Sequence, residues 1–260
     1  VRRTDCARAL LAALILLAGI GCSRTVKGPP APPADAEEVL AALRARAESV
    51  RSFHANGTVY LRTDREKHFL HFDAWFERPS RMRLAIDVPG FLGLGSGRLL
   101  VVRRGDRIEA LRPGSEAVER ASLANDEGGP ITILGIDPAD APSLVAPHAG
   151  PENLFVRENL VSLSAAGAGG LLRVVLDRED GLREVLDVSP PSYAVGARRV
   201  VEPGGRVLFA STYRYGEGDN AYAREVETFL PDENMRLTTR FRSMERNPSL
   251  ADSLFRLAEE

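Results

Sequence analysis

Four glycines, at 90, 93, 95 and 97 in "VPGFLGLGSG", have the spacing of a loop that could cradle phosphate. They come after a run of strand character, 82–88, as such a loop would. The chemistry also needs a helix directly afterwards, whose N-terminal N–H groups face the phosphate. The next residues are "RLLVVRRGDRIEAL", a β-rich run, a Gly105-Asp106 turn and a second short run, with no Lys-Ser/Thr. Nucleotide chemistry is excluded here. Ser96 stands in Gly-Ser-Gly, not Gly-x-Ser-x-Gly, and no helix comes after it to make a nucleophile elbow. His68 and His71, three apart on a strand, point to opposite faces and cannot share a metal easily. "DREDGLREVLD" lacks the alternating Asp/Asn ligands of a calcium loop and reads as a hairpin turn. No paired carboxylates stand out. The chain is expected to be no enzyme, with no cofactor and no metal.

The same loop raises a different possibility through Phe91, Leu92 and Leu94. Turns carry polar residues as a rule, because their backbone faces water. Three large apolar side chains could touch a membrane, where each recovers roughly 1.5–3 kcal/mol on burial. Alternatively they fold back and plug a cavity.

Two cysteines, Cys6 and Cys22, set the context. "VRRTDCAR" supplies a positive start, and "ALLAALILLAGIG" an apolar run shorter than the ~20 residues of a spanning helix. Cys22 comes at once, behind small Gly21. The segment resembles a bacterial lipoprotein signal. In those signals a Leu-Ala-Gly-Cys type of box ends the apolar run and its cysteine carries the lipid. Here the box reads Gly19-Ile20-Gly21-Cys22, with Gly19 where Leu is usual. The resemblance implies a signal at 1–21 and acylation (palmitate among the chains) at Cys22. Residues 22–34, "CSRTVKGPPAPPA", are Pro-rich and lack core residues, as suits an extended tether. The folded part then contains no thiol, so no disulfide staples it.

Residues 35–260 must position whatever function remains. With 260 residues, 44% of them hydrophobic, and a net charge of −2, the chain suits one domain with a sizeable core and gives no reason to expect nucleic acid. Residues 35–52 are predicted as an amphipathic helix. Asp35 is its N-cap, with Glu38 placed for a capping box, and Val39, Leu40, Leu43, Ala47 and Val50 share one face. The period then switches to two. Phe53, Ala55, Val59 and Leu61 alternate with polar neighbours; so do Leu70, Phe72, Ala74 and Phe76, and Met82, Leu84, Ile86 and Val88. Strands are also predicted at 98–103, 107–112, 117–121, 156–165, 171–177, 182–189, 196–202, 205–216, 222–230 and 235–245. Between them, 124–155 is broken by Gly and Pro and reads as a long crossing loop with one or two short helices near 131–146. The end, "NPSLADSLFRLAEE", is predicted as a short helix capped by Ser249.

The predicted fold is mainly β with some α. A large curved antiparallel sheet forms an unclosed barrel, because long sheets twist and must curl. The N-terminal, mid-chain and C-terminal helices cover its apolar cavity. Val39, Leu43 and Val50 of the helix are expected to line that cavity with Leu70, Phe72, Phe76, Met82, Leu84 and Ile86.

Three places resemble the LolA/LolB superfamily of lipoprotein-sorting proteins. They are the helix leading into "FHANGTVYLR", the stretch "WFERPSRMRLAIDVPGFLGLGSGRLLVV", and "NPSLADSLFRL". The resemblance implies a helix-capped half-barrel that accepts acyl chains or lipoprotein cargo, closest to LolB in carrying its own lipid anchor. It places Phe91, Leu92 and Leu94 at the loop that touches membrane in LolB. With Ser23, not Asp, after the cysteine, it implies the periplasmic face of the outer membrane. A monomer is expected. The alternative is an envelope scaffold that docks a partner on its sheet and fills the cavity with its own side chains.

Overall fold

The computed structural model describes residues 35–88, 97–115, 117–122, 136–138, 140–149, 153–166, 170–216 and 219–257. Cys22, the tether, and Phe91, Leu92 and Leu94 lie outside the described residues. Helix α1, Ala36–Ser49, opens the fold. The Asp35 side chain accepts from the Glu37 N–H at 3.0 Å and caps it. Glu38 does not close a capping box; its carboxylate accepts from the Tyr193 hydroxyl at 2.9 Å. The helix stops three residues earlier than predicted because Asn247 takes over. Its Nδ2 donates to the Ser49 carbonyl, and its Oδ1 accepts from the N–H groups of Arg51 and Ser52.

Six strands come next: β1 Ser52–Arg62, β2 Lys67–Glu77, β3 Arg81–Val88, β4 Gly97–Arg104, β5 Arg107–Leu111 and β6 Val118–Ser122. After the crossing segment, with its five-residue helix α2 (Ala141–Val145), come β7 Leu160–Ala166, β8 Leu171–Asp177 and β9 Arg183–Ser189. The last four are β10 Ala194–Val201, β11 Val207–Gly216, β12 Asp219–Leu230 and β13 Met235–Arg246. All pair antiparallel in one sheet, ordered β6-β5-β4-β3-β2-β1-β13-β12-β11-β10-β9-β8-β7 among the described residues. Two meanders therefore meet where β1 pairs with β13, and β6 and β7 are left as free edges. The sheet is not closed, as predicted. Since β6 and β7 are opposite edges, the segment between them has to cross the sheet.

One glycine is fixed by this seam. β1 bulges against β13 at Asn56/Gly57. A Cβ on Gly57 would stand 2.0 Å from the Arg240 carbonyl oxygen, so the strands close only over a glycine.

The core has three parts, all within residues 33–260, one compact unit. The first lies mainly on the inner face of β1–β5 and β13, takes in Val200, Phe209, Tyr222 and Leu230 of β10–β12, and includes Ile136, Val145 and Ala146 of the crossing segment. The second lies between α1 and the strands β8–β12, with Leu154 and Phe155. The third is on the other face, where Phe255 and Leu257 pack on Val102, Trp75 and Leu100.

That third part corrects the C-terminal prediction. The segment forms a 3-10 turn, Asp252–Phe255, preceded by Ala251 and not by a Ser249 cap, and it lies on the outer face, where it covers no cavity. Strand arginines take the bonds a helix would have supplied. Arg83 donates to the Leu254 and Arg256 carbonyls at 3.0 and 3.2 Å, and the Arg81 guanidinium sits 4.3 Å from the Phe255 ring centre.

Candidate functional site

Alternation along β1, β2, β3 and β13 turns Phe53, Val59, Phe72, Ala74, Met82, Leu84, Ile86, Leu237 and Phe241 to one side. The crossing segment closes over them with Ile136, Ala141, Pro142, Leu144 and Val145. Between these two walls lies a cavity of about 80 Å³. One water needs only about 10–15 Å³ of such space. Thr239 is the one residue with a side-chain polar atom among the described lining residues. The site can hold hydrocarbon and exclude water. Among the described lining residues there is no acid or base.

The structure divides the residues expected to line this cavity. Phe72, Met82, Leu84 and Ile86 line it. Val50, Leu70 and Phe76 belong to the same core cluster but do not reach the cavity. Val39 and Leu43 are elsewhere, in the second cluster with Leu172, Leu176 and Leu186. The reason is how α1 is tied down. Arg44 donates to the Phe155 carbonyl at 2.9 Å and Arg46 to the Ser192 carbonyl at 2.7 Å, which hold the helix over the C-terminal meander. The cover over the cavity is α2 instead.

Helix α2 has two contrasting sides. Ala141, Pro142, Leu144 and Val145 face the cavity, while Asp140 and Ser143 enter a buried ion network. Fully buried Arg198 donates to Glu184 Oε1 and to Asp140 Oδ1, both at 2.7 Å, and to the Ser143 hydroxyl. Arg178 donates to Asp140 Oδ1 at 2.9 Å and reaches Asp180 at 2.5 Å. The Tyr213 hydroxyl donates to the Ser143 carbonyl at 3.2 Å. Burial alone would raise the Asp140 pKa, but Arg198 and Arg178 hold it below the usual carboxylate range. Burial pushes the Tyr213 hydroxyl up to about 12, so it stays a neutral donor. Asp140 makes no side-chain cap bond to α2, and both arginines bind its Oδ1.

Sequence reasoning passed over this network. A signal was available: Glu184 shares an inward face with Leu186 and Val188, and Arg198 with Val200. A charge on the apolar side of an alternating strand needs a buried partner.

His148, three residues beyond α2, is 1% exposed, and neither ring nitrogen has a hydrogen-bond partner among the described residues. Burial, aided by the Arg46 charge, lowers its pKa from 6.5 to about 3. The other two histidines with sequence interest are split by the strand: His68 is buried beside Glu66, 2.8 Å away, and His71 is exposed. Among the described residues no group of three His, Cys, Asp or Glu could hold a metal ion.

Comparison with solved structures identifies the architecture. A LolA superfamily protein from Nitrosomonas europaea aligns over 86% of this chain and 98% of its own, at 13% identity and a TM-score of 0.58. A DUF1329 family protein from Desulfovibrio piger aligns over 85% and 97%, at 10% identity and a TM-score of 0.60. A Vibrio parahaemolyticus domain assigned to outer membrane lipoprotein sorting aligns over 85% and 97%, at 13% identity and a TM-score of 0.55. Neither a family model nor a curated protein matches the sequence. The chain has the LolA-like fold. At these identities the likeness concerns the fold and not the activity.

Proposed function

We propose that this protein binds acyl chains or another apolar ligand in the cavity under α2, as a lipid-anchored protein of the bacterial envelope. The observation that carries the reading is a cavity of about 80 Å³ walled almost wholly by hydrocarbon. Leaving such a void unfilled costs about 2 kcal/mol at ~24 cal/mol per Å³, a cost a purely structural core would tend to close. The likeness of fold to the Vibrio lipoprotein-sorting domain supports the same reading and extends it to lipoprotein cargo.

In this reading Cys22 carries the lipid, residues 22–34 are the tether, and the protein sits as a monomer at the periplasmic face of the outer membrane. Phe91, Leu92 and Leu94 form its membrane-contact loop. Catalysis has no part in it.

The test is displacement of a fluorescent fatty acid from the 33–260 unit. Leu84→Asp puts a charge in the cavity wall and should abolish binding, while Arg104→Asp, on the far side of the sheet end, should leave it unchanged. Equal binding by the two variants contradicts the reading. The anchor has its own test: Cys22→Ser should release the protein from membranes and remove the lipid mass from the N-terminal peptide. Unchanged fractionation and an unchanged peptide mass contradict lipidation.

The second reading, a scaffold whose cavity is self-filled, draws on the side chains of Leu144 and Val145, which line the cavity from α2. It predicts no fatty-acid binding by the parent protein.

A further inference from the structure

The outward face of β2, β1 and β13 carries a feature that the cavity does not use. Arg62 lies opposite Lys67 on one side and Arg236 on the other, so three cations form one rung across three strands. On the next rung of that face stand Phe69, Tyr60 and Thr238. Phe69 is 71% exposed, the most exposed large apolar side chain among the described residues, and its ring centre lies 4.7 Å from that of Tyr60. Arg62 and Lys67 are exposed, and their side chains make no hydrogen bond or ion pair among the described residues. Arg236 rests over the Phe229 ring at 4.7 Å and makes no ion pair there. The carboxylates nearby sit off this rung: Asp232 pairs with Arg206 and Glu227 with Arg214, Asp64 accepts from the neutral Asn234 amide, and Glu66 lies beside His68. Glu233, in the β12–β13 turn, is exposed.

We propose that this face docks on an anionic lipid bilayer, with Arg62, Lys67 and Arg236 against headgroup phosphates and Phe69, steadied by Tyr60, entering the interface. Strand spacing sets the three charges ~5 Å apart in a nearly flat row, which matches a charged surface better than a single small anion. Clustered cations near an anionic leaflet each strengthen binding about fivefold. An exposed aromatic ring beside them finds in the bilayer interface both an apolar medium for its body and water for its polar neighbours. None of these residues lines the cavity, so the proposal stands whether or not the protein binds acyl chains or carries lipid.

The experiment is co-sedimentation of the 33–260 unit with phosphatidylcholine vesicles, with and without phosphatidylglycerol. The parent unit should bind the anionic vesicles at low salt, at least tenfold more tightly than the zwitterionic ones, and release at high salt. The triple variant Arg62→Gln/Lys67→Gln/Arg236→Gln should lose roughly 100-fold in affinity. Phe69→Ser should lose about tenfold on both kinds of vesicle without a change in melting temperature. Arg104→Gln/Arg107→Gln/Arg120→Gln, the same charge removed near the β6 edge, should bind like the parent. The proposal is overturned if the parent ignores anionic lipid, or if the two triple variants lose affinity equally, since binding would then depend on net charge and not on this face.

Discussion

The two meanders share one sheet but are covered in different ways. Over β8–β12 lies α1, fourteen residues and so ~21 Å long, laying down Val39, Leu40, Leu43 and Ala47, none more than 8% exposed. Facing β1–β3 across the cavity is α2, five residues and only ~7.5 Å long, with its backbone beside β12. A single short turn cannot span the breadth of three strands. Leu84 and Leu144 remain only partly buried, and a cavity opens between the layers. The C-terminal half is therefore a packed core, and the N-terminal half is a partly filled one. The difference lies in the covering element, since strands with clear alternation, such as β2 and β9, occur in both halves.

The covers are also held differently. Helix α1 bears on the sheet with apolar side chains and is tied by two arginine-to-carbonyl contacts. Helix α2 has few apolar contacts to offer and is held on its other side by ions. Arg198→Met strips the network of its central cation and leaves Glu184 and Asp140 buried and undercompensated. The expected loss is about 3–5 kcal/mol, or roughly 10 °C in melting temperature. Arg44→Met, at a tie of α1, should cost no more than about 1.5 kcal/mol. If thermal melts rank the two the other way, the cavity cover is held by packing and the contrast fails.

His148 sharpens the contrast through pH. Its folded pKa lies below its ordinary value, so the unfolded chain takes up a proton first. Stability attributable to neutral His148 is complete above pH 6.5 and is lost as pH falls towards about 3, by about 1.4 kcal/mol per pH unit. At pH 5 the parent should be about 2 kcal/mol less stable than at pH 7, and His148→Leu should flatten that part of the curve. Denaturant melts across pH 5–7 check this, above the range where Asp140 titrates. Equal slopes for parent and variant would show that the imidazole is solvated and not buried.

Packing itself gives the smaller effects. Ala223→Leu in the filled half should cost about 1–3 kcal/mol through overpacking. Ala74→Leu, on the cavity wall, adds the same volume where there is room, and should cost under about 1 kcal/mol while blocking fatty-acid uptake. Similar losses of stability from both would mean the cavity is not a usable space.

The strands and their faces were legible because a period of two is written in single residues: Leu70, Phe72, Ala74 and Phe76 could only fall on one side. The helix at 35–52 was legible for the same reason at its own period. Which strands that helix covers was not. Val39 and Leu43 are equally suited to Leu84 or to Leu186, and the choice rests on Arg44 and Arg46 meeting carbonyls more than a hundred residues away. The C-terminal turn misled for a similar reason. Leu250, Leu254 and Phe255 look like a helix face, yet arginines on β3 satisfy the tail and pin it to the outer side. The cavity's cover was placed correctly near 131–146, but what fastens it, Asp140 to Arg198, joins residues no local pattern links.

The central claim is that the space under α2 takes up an apolar ligand. Native mass spectrometry of the 33–260 unit, purified from bacteria without delipidation, tests it most directly. The account predicts an added mass equal to a fatty acid or phospholipid, present in the parent and in Ala223→Leu and absent from Ala74→Leu. A parent protein carrying no added mass even after incubation with fatty acid, or one whose lipid persists undiminished in Ala74→Leu, would contradict it.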